Sequence, residues 1–362
     1  MAGIEKNRRL VSLDVLRGIT IVGMIIVNNA GGHDSYAMLR HSEWNGLTPC
    51  DLVFPFFLFI MGVTTYLSLS KTGFRPSAPV VRKILRRTLL ILLIGWLIHW
   101  FDNGCSGKGW FDLEHLRLTG VLTRIALCYG IVSVLALNMS LRSLAWLGAV
   151  ALALYGVALC LWNGYVYDST NFNAIVDRAL LGADHLYTKK PVDPEGMAGT
   201  ISALAHTIFG FCCGAVVKDR HTLSDRVVRL FVIGFVALVV GYMLSYGLPV
   251  NKRIWSPSFV LVTCGLASSL LALLIYIIDM RGYSRWSRFF VAFGVNPLFL
   301  YVLSEVVAIV VGSTGAKPVI YNSLLAIFRD TYLASAVYSL AFMLLMGAVG
   351  YPLYKKQIYI KI

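Results

Sequence analysis

Residues 28–62 read NNAGGHDSYAMLRHSEWNGLTPCDLVFPFFLFIMG. The stretch leaves one apolar run, crosses a short polar loop and enters a second apolar run. The loop concentrates His33, Asp34, His41, Glu43, Trp44 and Asn45 between two segments that avoid charge. Two histidines, two carboxylates and an indole are thereby set at the boundary of an apolar phase.

The same alternation governs the rest of the chain. Hydrophobic residues make up 57% of the sequence and charged residues 14%, against about 25% charged in a soluble domain. Apolar runs long enough to cross a hydrocarbon core of about 30 Å as helices recur along the chain. The shorter alternating segments of a membrane barrel are missing from the pattern. The expected fold is all-α, a polytopic bundle of about ten transmembrane helices. The expected spans are 16–31, 51–70, 86–101, 118–138, 144–164, 199–217, 228–247, 258–279, 289–311 and 333–354, within one transmembrane domain covering 1–362. Asp14 and Arg17 at the start of the first run, and no small-residue cleavage site after it, argue against a cleaved signal peptide.

Lysine and arginine orient the bundle. The segments 1–12, 71–85, 139–143, 218–227, 280–288 and 355–362 hold the denser set, including Lys6, Arg8, Arg9, Arg75, Arg220 and Arg285. The opposite segments, 32–50, 102–117, 165–198, 248–257 and 312–332, carry fewer over more residues, Lys189 and Lys252 among them. Both termini are therefore expected in the cytoplasm, with His41 outside. The net charge of +14 follows from this topology and from contact with anionic lipid heads, and no nucleic-acid motif interrupts it. The outer segment 165–198 is too long for a turn and predicts a short helix near 175–181.

Seven cysteines carry no metal or redox spacing. Five lie in apolar runs and read as small hydrophobes, while Cys50 and Cys105 lie near the outer face, where an oxidising compartment would let them pair. No metal ligand set is expected from His33, Asp34, His41 and Glu43, because their spacing matches no rigid site. No internal repeat supports an inverted-repeat transporter.

Thr48-Pro49-Cys50-Asp51 reads as a helix start, with Thr48 at the N-cap, Pro49 at the first helical position and Asp51 reaching back as in a capping box. Pro55 one turn later predicts a kink. His41, seven residues before Thr48, has an imidazole that titrates near neutrality and can serve as a base or as a transient acyl carrier; a solvated or capping histidine is the plainer alternative. Asp14 and Arg17, spaced i, i+3, pair on one helix face. That pair serves either to anchor the helix or to position a phosphate-bearing cofactor. Asn28 either donates to a developing oxyanion or simply ends its helix before Gly31-Gly32.

The pattern H-x-x-W-N-G-x-T-x-x-D-L-V-F-P, from His41 to Pro55, resembles the transmembrane family of heparan-α-glucosaminide N-acetyltransferase. The likeness extends to Ser12-Leu13-Asp14-Val15-Leu16-Arg17-Gly18, to Arg124 in G-V-L-T-R-I-A, to Asp193-Pro194-Glu195-Gly196, to Pro249–Ser256 in P-V-N-K-R-I-W-S, and to Gly294-Val295-Asn296-Pro297. It implies acetyl-CoA as donor and an amino sugar, glucosamine foremost, as acceptor, with His41 as the transfer residue and a homodimer as the assembly. With no counterpart of the large lumenal domain of the animal enzyme, the expectation is a bacterial inner-membrane relative acting on something other than a long heparan chain. An N-acetylglucosamine-related sugar transporter and an O-acetyltransferase of envelope polysaccharide are the alternatives.

The remaining candidates follow from that likeness together with their chemistry. Arg124 is an ionisable group in an apolar run, set to meet a cofactor phosphate or a carboxylate. Asn296 beside Pro297 places an amide toward a central cavity. Asp14, Arg17, Arg124 and Asn296 form the expected acetyl-CoA set. Trp44, Asn45, Asp51, Asp193, Glu195, Asn251, Lys252 and Trp255 form the expected sugar set, Trp255 either by stacking on a ring or as an interface anchor.

Overall fold

The computed structural model describes residues 10–187, 190–219 and 222–360. Thirteen α-helices follow one another among these residues, with no strand. They are α1 (Val11–Asn28), α2 (Val53–Leu69), α3 (Ala78–Cys105), α4 (Val121–Asn138), α5 (Leu141–Leu161), α6 (Phe172–Leu181) and α7 (Met197–Lys218). Then come α8 (Leu223–Leu244), α9 (Pro257–Leu274), α10 (Arg288–Val295), α11 (Pro297–Ser313), α12 (Ala316–Phe328) and α13 (Thr331–Lys355). Among the described residues, nine helical segments are long and apolar enough to span a bilayer, and ten if the bent pair α10–α11 is one span. The protein is a multi-pass membrane protein. Lys6, Arg8, Arg9, Lys189 and Arg220, which entered the charge count, lie outside the described residues.

Three elements differ from expectation. The third span starts at Ala78 rather than 86, so Arg82 and Lys83 ride on helix instead of loop. Long basic stems lie along apolar surface while their heads reach water, so such residues do not end a helix. The ninth span breaks at Asn296 and bends by 81°. Proline lacks an N–H and disfavours helical geometry in the residue before it, and Asn296 accordingly adopts φ −125°, ψ 56°. The third difference is α12, whose 13 residues are too few to cross the core and so leave no spanning signature.

The core lies where helices approach through glycine. A Cβ on Gly62 of α2 would stand 2.2 Å from the Thr207 carbonyl oxygen of α7, and one on Gly210 would stand 2.3 Å from that of Phe59. α2 and α7 thus touch backbone to backbone, as small residues allow between helices in lipid. This contact fixes the outer end of α2, where a 3₁₀ turn, Pro49–Leu52, carries Asp51. The outward faces of α5 and α8 remain apolar and exposed, as a lipid-facing surface requires.

The two described ends share one face. Asp279 caps the start of α1, accepting from the backbone N–H of Val11 at 3.1 Å and Ser12 at 3.3 Å. The side-chain amide of Asn296 clasps the tail, donating to the Ile358 carbonyl and accepting from the Ile360 N–H, both at 2.8 Å. His41 lies at the other end of α1.

Candidate functional site

Two loops distant in sequence close on one another beyond the C-terminal end of α1. Gly46 N–H donates to the Val250 carbonyl at 2.8 Å, and the Asn251 side chain donates to Asn45 Oδ1 at 3.0 Å. Asn251 Oδ1 in turn accepts from the backbone of Arg253 and Ile254 at 2.9 and 3.2 Å. Asn45 and Asn251, expected to touch sugar, join the 41–51 loop to the 249–256 loop instead. Trp44 donates its indole N–H to the Tyr165 carbonyl at 2.8 Å and stacks against Tyr167 at 4.6 Å, which draws in the long outer segment as well.

The clasp delivers Lys252 to His41. His41 Nδ1 lies 2.7 Å from Asp51 Oδ1, and Asp51 is wholly buried while the His41 side chain is 45% exposed. Asp51 Oδ2 accepts from the backbone N–H of Ser42 and Thr48, each at 3.1 Å, and from the Thr48 hydroxyl at 3.0 Å. The expected capping box is present. The carboxylate that builds it therefore also holds the histidine. Lys252 Nζ stands 3.5 Å from Asp51 Oδ1, and 3.0 and 3.4 Å from His41 Nδ1 and Nε2.

These contacts set the tautomer. The shortest bond runs from Nδ1 to a carboxylate that can only accept, so Nδ1 carries the proton. Nε2 then keeps its lone pair. Burial lowers the His41 pKa from its ordinary value, the Asp51 hydrogen bond opposes this, and the Lys252 charge adds to the lowering. A neutral imidazole whose Nε2 keeps its lone pair is the form that accepts a proton from a nucleophile. Cys50, 1% exposed, places its Sγ 3.0 Å from His41 Nδ1, and all seven cysteines, Cys105 included, are free thiols.

A second network braces the first. Arg117 reaches Asp193 Oδ1 and Glu195 Oε2, both at 2.8 Å, and the Thr119 hydroxyl donates to Asp193 Oδ2 at 2.5 Å. Burial pushes the Asp193 carboxyl up, but the Arg117 guanidinium together with hydrogen bonds from Thr119, Glu195 and Tyr187 outweighs it and holds the pKa below its ordinary value. Glu195 lies within electrostatic reach of His41. The long outer segment forms its helix α6 from Phe172 rather than 175, and Asp177 on α6 accepts from the Ala198 N–H at 2.9 Å at the start of α7. Burial raises the Asp177 pKa to about 6.

Two expected site residues turn inward. Arg124 is 1% exposed, donates to the carbonyls of Pro194 and Gly196 at 2.9 and 2.7 Å, and packs 5.0 Å over the Trp255 ring. Its two terminal nitrogens are committed to the Asp193–Gly196 turn, away from the other three members of the expected acetyl-CoA set. Trp255 is 0% exposed and meets Phe54, Phe259 and His206 edge to face. It is neither a sugar platform nor an interface anchor, because the left-handed backbone at φ 53° turns it into the core.

Asp14, Arg17 and Asn296 gather at the inner end. Arg17 pairs with Asp14 and reaches the Gly294 carbonyl, both at 3.2 Å. Asp14 and Arg288 line a cavity of about 330 Å³ with Ser284, Ser287, Tyr354 and Tyr359. Asn28, at the far end of α1, donates to Glu305 Oε1 at 3.2 Å.

The sequence reading missed Glu305, the sole carboxylate of the ninth apolar run. A charge in a span was the available signal. It also missed Arg117 as a partner, which adjacency to a predicted loop could not reveal.

Comparison with known proteins finds relatives of one family. The family model described as heparan-alpha-glucosaminide N-acetyltransferase, catalytic, matches residues 9–177. The human heparan-alpha-glucosaminide N-acetyltransferase is 30% identical over 358 residues, and the mouse protein 29% over 356 residues. Each match covers 82% of this chain and 53% of the relative. The chain spans about half the length of the curated relatives it matches.

Proposed function

From the chain's membership in the heparan-alpha-glucosaminide N-acetyltransferase family, we propose that it is a membrane acetyltransferase. It moves acetyl from cytoplasmic acetyl-CoA to the amine of a terminal glucosamine or similar amino sugar on the outer side. The single observation that carries the reading is the His41–Asp51 pair, a half-exposed imidazole locked through Nδ1 by a buried carboxylate inside the matched residues.

The steps follow from that geometry. Asp51 holds the ring so that Nε2 faces the acceptor. The acceptor nitrogen attacks the thioester carbonyl carbon, Nε2 takes the proton that nitrogen loses, and the carbon–sulfur bond breaks. The proton passes to the leaving thiolate, so His41 ends neutral. Lys252 and Asn28 are the donors available to an oxyanion. Direct transfer needs only position and a base, and it is preferred here over an acetyl-His41 intermediate.

The donor arrives from the other face. Arg17 and Arg288 beside the inner cavity suit the phosphates of coenzyme A. Asp14 and Asn28 stand fourteen residues apart on α1, about 21 Å by helical rise, a gap for the pantetheine arm to bridge. The basic loop 281–288 and both described ends share the inner face, which supports cytoplasmic termini in a bacterial inner membrane.

Sealed vesicles test the whole reading. Labelled acetyl-CoA supplied at the inner face should acetylate glucosamine held at the outer face, without a gradient. Saturable glucosamine uptake with no acetylation would establish the transporter instead, and acetylation of hydroxyl but not amine acceptors the O-acetyltransferase.

A further inference from the structure

The carboxylates around His41 are each matched. Asp51 has His41 and Lys252, Asp193 and Glu195 share Arg117, and Asp177 meets the first turn of α7. Glu305 is different. It sits midway along α11, inside an apolar span. Its printed partner is the neutral Asn28 amide, at 3.2 Å. Its neighbour one turn back, Tyr301, is within hydrogen-bonding reach and is neutral too. The other charge acting on it is Asp102 of α3, of the same sign. Among the described residues, no Lys, Arg or His forms an ion pair with Glu305.

A carboxylate within a span is costly, and it marks a ligand or ion path by default. The group that offsets the cost is a cation. Asn28 lies at the surface of the bundle and Glu305 is only partly covered by this chain. The position is also continuous with the outer site. Tyr301 lies within electrostatic reach of Glu195 and Arg117, Glu195 reaches His41, and Asn28 opens the loop that carries His41.

We infer that Glu305, framed by Asn28 and Tyr301, receives the protonated amine of the acceptor and makes the protein select amino sugars over neutral sugars. The inference rests on the acetyl-transfer reading for its purpose but not for its measurement. It also accounts for turnover. The ammonium first gives one proton to the Glu305 carboxylate, which frees the nitrogen lone pair for attack and later returns that proton to water. An ammonium and an acetyl thioester thereby give an amide, a thiol and one proton. The reactant carries the charge that Glu305 attracts, and the amide product does not.

The test is binding by the full chain in detergent or nanodiscs, with glucosamine and glucose as probes and no turnover required. Wild-type protein should bind glucosamine more tightly than glucose. Glu305→Gln should weaken glucosamine by about tenfold or more, as loss of a charge-assisted contact does, and leave glucose and acetyl-CoA within about twofold. Glu305→Asp should lose less than the Gln variant. If the Gln variant does not fold, Glu305→Asp alone must weaken glucosamine and spare glucose. Unchanged glucosamine affinity in a folded variant overturns the assignment. So does an equal loss for both sugars, which would make Glu305 a positioning residue for Asn28. Should wild-type protein bind glucosamine through Glu305 yet transfer no acetyl group, the enzyme reading fails and the subsite stands.

Discussion

The two ends of α1 are built differently. At the outer end, the 41–51 and 249–256 loops close on each other through Asn45, Gly46, Val250 and Asn251, and the buried Asp51 is saturated by five donors from His41, Ser42, Thr48 and Lys252. At the inner end, α1 and α10 meet through bare backbone. A Cβ on Gly18 would lie 1.8 Å from the Phe290 carbonyl oxygen, and one on Gly294 would lie 1.9 Å from that of Asp14. Beside that contact is an open cavity with Arg288 on its wall. The outer end holds its groups in advance, as a reaction needs. The inner end keeps room and positive charge, as binding a large anion needs.

Substitutions at the outer end should therefore strike rate, and those at the inner end affinity. The largest expected effect is that of His41→Ala, a loss of about 10²–10⁴-fold in acetyl transfer with acetyl-CoA binding nearly intact. Near-wild-type transfer of labelled acetyl by this variant would show the site to be elsewhere. Asp51→Asn should follow at about 10²-fold, because an amide can present its NH₂ to Nδ1 and release the ring from the productive tautomer. It should also cost about 1 kcal/mol through the cap, read by thermal unfolding. Normal kcat in that variant would break the link between cap and catalyst.

Arg124→Ala probes the boundary between the two kinds of region. Leaving two buried carbonyls without donors should cost about 3 kcal/mol, seen as a lowered unfolding temperature, with acetyl-CoA affinity unchanged in the folded fraction. A selective loss of acetyl-CoA affinity would restore Arg124 to the donor set. At the inner end, Arg288→Ala should raise the KM for acetyl-CoA by about fivefold, the scale of one partly screened contact, and spare kcat. A matching fall in kcat would erase the contrast.

The smallest effect is a shift in a profile. The active form of His41 is neutral, so activity should fall as pH drops through its pKa, which burial first and Lys252 after it place below the usual histidine value. Lys252→Met removes one lowering influence. The acid limb of kcat/KM should therefore move to higher pH. A limb that stays put, or moves to lower pH, would detach Lys252 from His41.

Much of this was legible in the chain. Apolar run length set the number of spans to within the bend at Asn296, since crossing hydrocarbon demands a length that composition records directly. Thr48, Pro49 and Asp51 announced their turn because capping is local, and Pro297 marked the site of the break. His41 stood out through the H-x-x-W-N-G resemblance, since the residues alone read as plainly as a solvated or capping histidine. Arg124 and Trp255 were misassigned. A charge or an indole near a membrane boundary reads the same whether it faces a cavity or the core, and only the left-handed turn at Trp255 and the carbonyls of Pro194 and Gly196 decide which.

By itself the sequence determined a helical membrane bundle and the capped turn at Thr48–Asp51, both consequences of local composition and spacing, while the resemblance singled out the loop histidine. Tertiary structure alone decided which carboxylate serves His41, that Lys252 arrives from a loop 211 residues away, and that Glu305 faces Asn28 across 277 residues with no cation beside it among the described residues. Those pairings depend on how helices cross and which loops meet, and interactions between residues so far apart leave no periodicity in the chain from which to read them.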